Sequence, residues 1–522
     1  MLEVYADSIS RMADILANEF GANRDEFVDW SSVPLIGSMS PEYPEFEGHE
    51  KIGLWTIHQG ISDSYLWQLL RKNVTDRAEN IDVWFESPGT GLIQDPESKT
   101  ILGVEVEREG KTLNIRAKNG VVLATGGFEN NPSMVENYLG LAEYAPIGGL
   151  YNTGDGIRMA LDVGADLWHM EVYEGLGDLG ANFFEVEPGT RGKVLFFSKF
   201  TSGASILVAE DGARYLKEDE VTRHGHISLG GVWVNSRYPK NSYIVFDQAV
   251  LDAVVAAGTI AADDTRILSA ASVAELAEKT GINADGLAAT IKKFNGYAAS
   301  GNDAQLGRSA ASMASFAGDK YYAIKMIPNI LNTQGGPRRN ENAEVLDRDG
   351  NPIPHLYSAG ELGGITSFQY QGGGNIAECI TFGKIAGTNA AAAKTDTLPA
   401  YAARTAVTST PTYLPGTTTD IAPVTEEPAP ETAENEYIGK AEGMGGPVTV
   451  KVTMDGDAIA KVEVISHKET DGIGTKPIDS MPEQFVGMKT ADEVAAVDKV
   501  AGATITSNAL KEAVADALSQ VK

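Results

Sequence analysis

Apolar and polar positions along the chain switch between helical and strand spacing, and the switches outline its elements. Val4, Ile9, Met12 and Ile15 recur at helical intervals, and a second amphipathic helix is predicted over 62–74. Segments 81–86, 100–107 and 112–117 alternate as strands do and predict a small β-meander. Residues 120–128, GVVLATGGF, form a β-branched run that stops at a Thr-Gly-Gly turn, the profile of a buried strand ending at a ligand crevice. In YNTGDGIRMALDVGADL, 151–167, Asp155 falls near a helix start, where the helix dipole stabilises a carboxylate. Residues 181–330 mix strands and helices with few nucleotide-like turns and read as an inserted second domain.

The stretch 358–387, SAGELGGITSFQYQGGGNIAECITFGKIAG, reads as strand, two glycine-rich turns, then helix. That order suits a cofactor cradle, although glycine clusters are also plain turns before buried helices. Glu361 falls where strand gives way to loop and can accept hydrogen bonds from sugar hydroxyls. Gly372, Gly373 and Gly374 let backbone approach a flat ligand and open a helix whose N–H groups favour electron-rich atoms. Residues 396–435 repeat Thr, Pro, Ala and acids, too few large apolar groups for a core, and predict an extended linker. Strand alternation returns over 436–522, with a Met-Asp-Gly-Asp hairpin and a helix predicted over 507–521, so an independent α+β domain follows.

Composition narrows the chemistry. At 522 residues and 43% hydrophobic content the chain can build several cores. It contains no apolar run long enough to span a bilayer, and its first residues have neither a signal-peptide nor a transit-peptide pattern. Lys and Arg number 42 against 72 Asp and Glu, a net charge of −30 that argues against a nucleic-acid partner. An anionic substrate would need local cations, which makes any arginine inside a motif informative. The lone cysteine, Cys379, excludes an intrachain disulfide and a cysteine-based metal cluster, and no metal is expected.

With GVVLATGGF, NTGDGIRMALDVGADL, GARYLKEDE, LYSAGE and GGGNIAECITFGKIAG in this order, residues 1–395 resemble the flavoprotein subunit of the fumarate reductase and succinate dehydrogenase superfamily, and more closely its soluble single-chain reductases. The C-terminal domain is similar to the FMN-binding domain of such reductases and of sodium-pumping quinone oxidoreductases, through GMGGP at 443–447, ETDGIG at 469–474 and DKVAGATITS at 498–507. The resemblance implies an α/β FAD-binding domain, Rossmann-like, over 1–180 and 331–395. It also implies an inserted α+β capping domain over 181–330, the linker 396–435, and a separate C-terminal α+β FMN-binding domain over 436–522. The strand–GxGxxG–helix unit that opens the family is not found here, so the FAD-binding domain is expected to be N-terminally truncated. Thr125, Gly126 and Gly127 would line the FAD, Asp155 would sit close to it and Glu361 would hold its hydroxyls. Gly373, Gly374, Asn375 and Ile376 would face the flavin ring. Glu469, Thr470 and Gly472 would contact FMN, and Thr504 would carry it through a phosphoester installed by a flavin transferase. The family usually has Ser or Thr where this chain has Ala501, and a helix N-cap is the alternative role for Thr504.

Reducing an activated C=C bond needs a hydride, a proton, and a grip on the group that gathers negative charge. In the fumarate-reducing relatives an arginine is the acid, and GARYLKEDEVTRHGH resembles the segment that carries it, which puts Arg223 at or next to that position; pairing with Glu218 or Asp219 is its structural alternative. An arginine acid needs tight positioning and a relay because its free pKa is very high. His224 and His226 flank it as substitute acids, substrate contacts or structural histidines. Where those relatives have a histidine and an arginine as carboxylate clamps, this chain has Asn332 in NTQGG and Gln371 in YQGGGN. A second substrate carboxylate would lose charge-assisted bonds of roughly 1.5 to 3 kcal/mol each, which argues against fumarate. The expected substrate is an enoate or enone, with Tyr370, Tyr173 and Trp233 as walls. Electrons would arrive from a membrane or cell-surface donor through the tethered FMN, placing the protein outside the cytoplasm. A ketosteroid-type dehydrogenase and a non-catalytic FMN electron-carrier fragment are the alternatives.

Overall fold

The computed structural model describes residues 1–29, 42–57, 64–175, 181–182, 191–192, 200–220, 222–229, 232–235, 238–258, 260–367, 369–392, 394, 432–433, 435–443, 447–467, 469, 474–500 and 503–521. Most of the expected linker, with Thr470, Gly472 and Ala501, lies outside the described residues. The chain divides into two compact units, Met1–Ser10 with Glu86–Thr408, and Arg11–Phe85 with Ser409–Lys522.

The first unit opens with helix α1 (Leu2–Ser10), followed by the meander β1 (Gly89–Gln94), β2 (Ile101–Arg108) and β3 (Lys111–Arg116). The first meander strand lies later than the expected 81–86, because the chain turns at Glu86, φ 49°, and pairing begins at Gly89. Two glycines in GTGLIQ disguise that strand as a turn. Next, β4 (Val121–Leu123) leads through a Thr-Gly-Gly turn to helix α2 (Asp155–Asp162). Short strand β5 (Tyr173–Glu174) follows, then β6 (Ser205–Val208).

A three-stranded ribbon comes next, β7 (Thr222–Arg223), β8 (His226–Leu229) and β9 (Val232–Asn235). Strands β10 (Ser242–Phe246) and β11 (Tyr321–Ile330) pair antiparallel with each other, and β10 with β6. Their residues alternate between two cores: Leu207, Ile244 and Phe246 face one, while Ile206, Val208 and Val245 face the other beside Leu287, Ile291 and Phe294. Between the strands, helix α3 (Ala284–Ser300) starts where the Asn283 side chain accepts from the Gly286 N–H and stops at the left-handed Gly301.

After β12 (Asn332–Thr333) and β13 (Glu344–Leu346), strand β14 (Pro352–Ser358) runs parallel to β4, with Leu356, Tyr357 and Ser358 opposite Val121, Val122 and Leu123. The Ala359 N–H donates to the Leu123 carbonyl, so both strands end together and their turns lie side by side. The expected buried strand is a sheet edge among the described residues: Leu123 is buried but Val122 is 38% exposed. Behind it Ile157, Phe128, Ile330, Leu356 and Leu362 form one core. Helix α4 (Gly374–Ala391) closes the unit; α1 packs on it through a Tyr5 hydroxyl to Gly374 carbonyl bond and a Thr381–Ser8 hydroxyl bond.

In the second unit, Glu436–Glu442, Pro447–Asp455 and Ala458–Ser466 form an antiparallel meander turned at Gly456, φ 64°. Helix α5 (Thr504–Ser519) begins three residues earlier than expected and lays Leu510, Ala513, Val514 and Ala517 on Val448, Val450 and Val452. It lies so close that a Cβ on Gly439 would meet the Ala513 carbonyl oxygen at 1.8 Å. Helices Met12–Phe20 and Tyr65–Thr75 also belong to this unit, linked by an Asn73 amide to Phe20 carbonyl bond.

Candidate active site

The two adjoining turns are packed against polar side chains, not open. Gly126 has φ 72°, and a Cβ there would lie 2.7 Å from the Asn152 Oδ1; one on Gly127 would lie 2.1 Å from the Thr333 Oγ1. No other residue fits either place without displacing the neighbours. Thr125 contacts the start of α2, where a Cβ on Gly156 would be 2.2 Å from its Oγ1. Asp155 is exposed at the first turn of α2 and accepts from the Thr153 hydroxyl at 2.8 Å.

Glu361 sits at the centre. Its carboxylate accepts from the side-chain amides of Asn152 at 3.1 Å, Asn332 at 3.0 Å and Asn375 at 3.5 Å. Burial raises its pKa, while Asn332 and the Gly127 N–H oppose that rise. Fully buried Glu129 accepts from the same Asn152 nitrogen at 2.6 Å and from the Thr333 hydroxyl at 3.4 Å. Burial, and secondly the Glu361 charge, push its pKa up to about 7. Sequence reasoning missed Glu129, Asn152 and Thr333; the one available signal was an acid directly after the GGF turn.

Gly373, φ 80°, precedes α4, and Gly374 is buried against Tyr370 and Tyr5. Asn375 is buried and accepts from Gln334 at 3.1 Å, while Ile376 leaves 52% of its surface exposed at the first turn, an apolar face suited to a flat ring. The loop after Glu361 is stitched to α4 by a buried Arg339–Glu378 ion pair. Arg339 also donates to the Leu362 and Gly360 carbonyls, and the Ile365 N–H donates to Glu378. Because removing the cation strands a buried carboxylate, Arg339→Met is expected to cost about 3–5 kcal/mol of unfolding free energy in denaturant titrations. The double change Arg339→Met with Glu378→Leu should recover most of that loss.

The ribbon β7–β9 meets this cradle where the His224 ring stands edge-on to Tyr370 at 4.7 Å and 87°. Arg223 faces His226 across the ribbon, and its guanidinium lies 4.5 Å from the Trp233 ring centre. Glu218 is occupied by Arg214 and Arg308, and Asp219 accepts from Ser309 and Ser312. His226 is fully buried 3.9 Å from Glu174, and burial, then His224, lower its pKa to about 4, so it is neutral near pH 7. Tyr173, expected as a pocket wall, belongs to the hydrophobic core. Gln371 has a buried side-chain nitrogen with no hydrogen-bond partner among the described residues.

In the second unit the three hydroxyls of the TITS segment differ in use. Thr504 is exposed at the first position of α5, and the N-cap is Ala503, without a side-chain bond. Buried Thr506 donates to Glu469, and buried Ser507 donates to the Ala503 carbonyl. The Glu469 carboxylate fills the space that side chains at Gly443 or Gly474 would need.

Among the described residues the Asn332 Oδ1 and Gln334 Oε1 are buried acceptors without a donor. Such groups call for N–H or O–H donors, which the ribityl hydroxyls and flavin N3–H of FAD possess. Paired glycine turns at the carboxyl ends of parallel strands, closing on a buried acid, fit a dinucleotide-binding site. The chain belongs to the FAD binding domain family, which residues 13–376 match, and residues 443–519 match the FMN-binding domain family. It is 29% identical over 60% of its length to 51% of a probable fumarate reductase, Ifc3, of Shewanella frigidimarina. It is 32% identical over 53% of its length to 53% of a 3-oxosteroid 1-dehydrogenase of Mycolicibacterium smegmatis. Thus the chain spans about half the length of these curated relatives. The open conformation of a flavocytochrome c3 fumarate reductase superposes with a TM-score of 0.50 at 27% identity, covering 74% of this chain and 62% of that one. The chain therefore has a fumarate reductase-like FAD-binding fold and a separate C-terminal FMN-binding domain.

Proposed function

We propose that this protein is a flavin-dependent reductase of an enone or enoate, with 1–180 and 331–395 as the FAD-binding domain, 181–330 as the capping domain and 436–522 carrying FMN. When bound, FAD supplies the hydride and FMN on Thr504 supplies the electron input. Gly126, Gly127, Asn332, Asn375 and Ile376 would hold FAD beside Glu361. Arg223, steadied on Trp233, donates a proton to the substrate carbon beyond the hydride acceptor, and the Gln371 amide N–H holds the carbonyl oxygen that gathers charge. The observation that carries this reading is the buried Gln371 nitrogen beside Tyr370, without a hydrogen-bond partner among the described residues: a neutral donor suits a carbonyl and would hold a second carboxylate weakly. An upstream donor, a flavin transferase and an extracytoplasmic location complete the proposal.

Intact mass and released flavin, measured after co-expression with a flavin transferase and denaturation, test it. Covalent FMN with released FAD, and oxidation of a reduced dye by enones, support it. Covalent FMN without FAD overturns it in favour of an electron-carrier fragment. Gln371→Leu removes a buried unsatisfied group, so the free chain should gain stability while kcat/KM for enones falls about tenfold, near the worth of one neutral hydrogen bond. The neutral Gln371 also favours a second reading, a dehydrogenase acting on saturated ketosteroids, supported by the 3-oxosteroid 1-dehydrogenase likeness. Flavin bleaching by the saturated ketone, with no enone reduction, would favour that direction.

A further inference from the structure

We propose that Glu129 is a positioning residue of the FAD cradle: bridged by the Asn152 amide, it shares one proton with Glu361, and that proton keeps both turns in the geometry that admits the cofactor. The inference rests on FAD occupying the cradle as proposed above. Asn152 has two amide hydrogens, and both are used between the carboxylates, at 2.6 Å to Glu129 and 3.1 Å to Glu361. The Thr333 oxygen accepts from the Phe128 N–H at 2.9 Å and keeps a second lone pair, 3.4 Å from the Glu129 Oε2, that can accept the hydrogen of a protonated Glu129. Glu361 has three amide donors and a backbone N–H; Glu129 has fewer donors and less exposure. The charge therefore settles on Glu361 and the proton on Glu129, because two buried carboxylates this close cannot both ionise cheaply.

Other titratable groups face the pair. Tyr144 faces Glu129, while Glu378 and Cys379 on α4 face Glu361, and Arg339 is committed to Glu378. The main influences on Glu129 are burial, Glu361 and its N–H and O–H partners, and none of these is a cation. Its pKa is raised, so the proton is held below about pH 7 and lost above it. A second charge on the pair then drives Glu361 away from Glu129, opens the Asn152 bridge and loosens the Gly126–Gly127 turn.

The test is FAD affinity of the full chain, followed by flavin fluorescence on both sides of pH 7, for wild type and Glu129→Gln. The wild-type Kd is expected to rise by about tenfold per pH unit above the midpoint, the slope of one proton. Glu129→Gln, which copies the protonated acid, should keep tight binding with no slope. An unchanged slope in the variant overturns the proposal. If the variant misfolds or wild type binds no FAD, the infrared spectrum of the wild-type apoprotein decides. A carboxylic-acid carbonyl band that persists at pH 7 and disappears at higher pH supports the shared proton. Its absence overturns the inference, whereas failure of FAD binding with the band present counts only against the cradle assignment.

Discussion

Arg223→Ala is expected to lower enone turnover by about 10²- to 10⁴-fold, the range that a positioned proton donor contributes. The acids nearest in sequence have partners of their own: Glu218 holds two other arginines, and Asp219 accepts from the Ser309 N–H. Its guanidinium instead lies over Trp233, in a ribbon whose adjoining His224 touches Tyr370 of the cradle loop. Stacking suits a planar guanidinium and fixes its direction, so Arg223→Lys, with a hydrated point charge on a flexible stem, should be nearly as damaging. Neither change should alter FAD content or the rate at which an artificial donor reduces the flavin. In a chain of net charge −30, loss of this cation should also weaken binding of monocarboxylate enoates more than of neutral enones. Normal turnover in Arg223→Ala would remove this residue from the acid role and leave His224 as the nearest alternative, because His226 is buried and neutral.

The parts legible in the sequence were those in which backbone need shows as residue type. Glycines at 126, 127 and 373 mark turns because close packing or positive φ excludes side chains there. Asp155 marks a helix start for the same kind of local reason. What stayed hidden depends on pairs distant in sequence. Asn152 binds Glu129 across 23 positions and Glu361 across 209, and nothing local separates it from an ordinary loop asparagine. Arg339 and Glu378 carry no local sign of burial, yet each is buried against the other. The meander's first strand was misplaced because Gly89 and Gly91, usually breakers, lie in it. Asn332 was expected to meet substrate; its amide donates to Glu361, and its buried oxygen, without a partner among the described residues, is left for a ligand.

Thr504→Ala is expected to abolish covalent FMN, seen as loss of one FMN increment in intact mass, and to reduce turnover with the physiological donor to background. Three hydroxyls lie within four residues, and the fold selects among them. Thr506 is 2% exposed and bonded to Glu469; Ser507 is fully buried and closes the first turn of α5 by donating to the Ala503 carbonyl and accepting from the Val500 N–H. Thr504 alone of the three projects into solvent, and it is not used as the helix cap. A phosphate esterified there would sit at the N-terminus of a helix whose first i to i−4 bond begins at Ser507, so the N–H groups of 504–506 lie toward the anion. Thr504→Ser should retain the flavin, since the ester needs only an accessible hydroxyl. Thr506→Ala should retain attachment but destabilise the domain by about 1–3 kcal/mol, because it leaves the Glu469 carboxylate without its hydroxyl donor. Dye-driven reduction at the FAD site should survive Thr504→Ala unchanged. Equal loss with dye and physiological donor would mean that FMN does more than carry electrons inward, and the tether reading would fall.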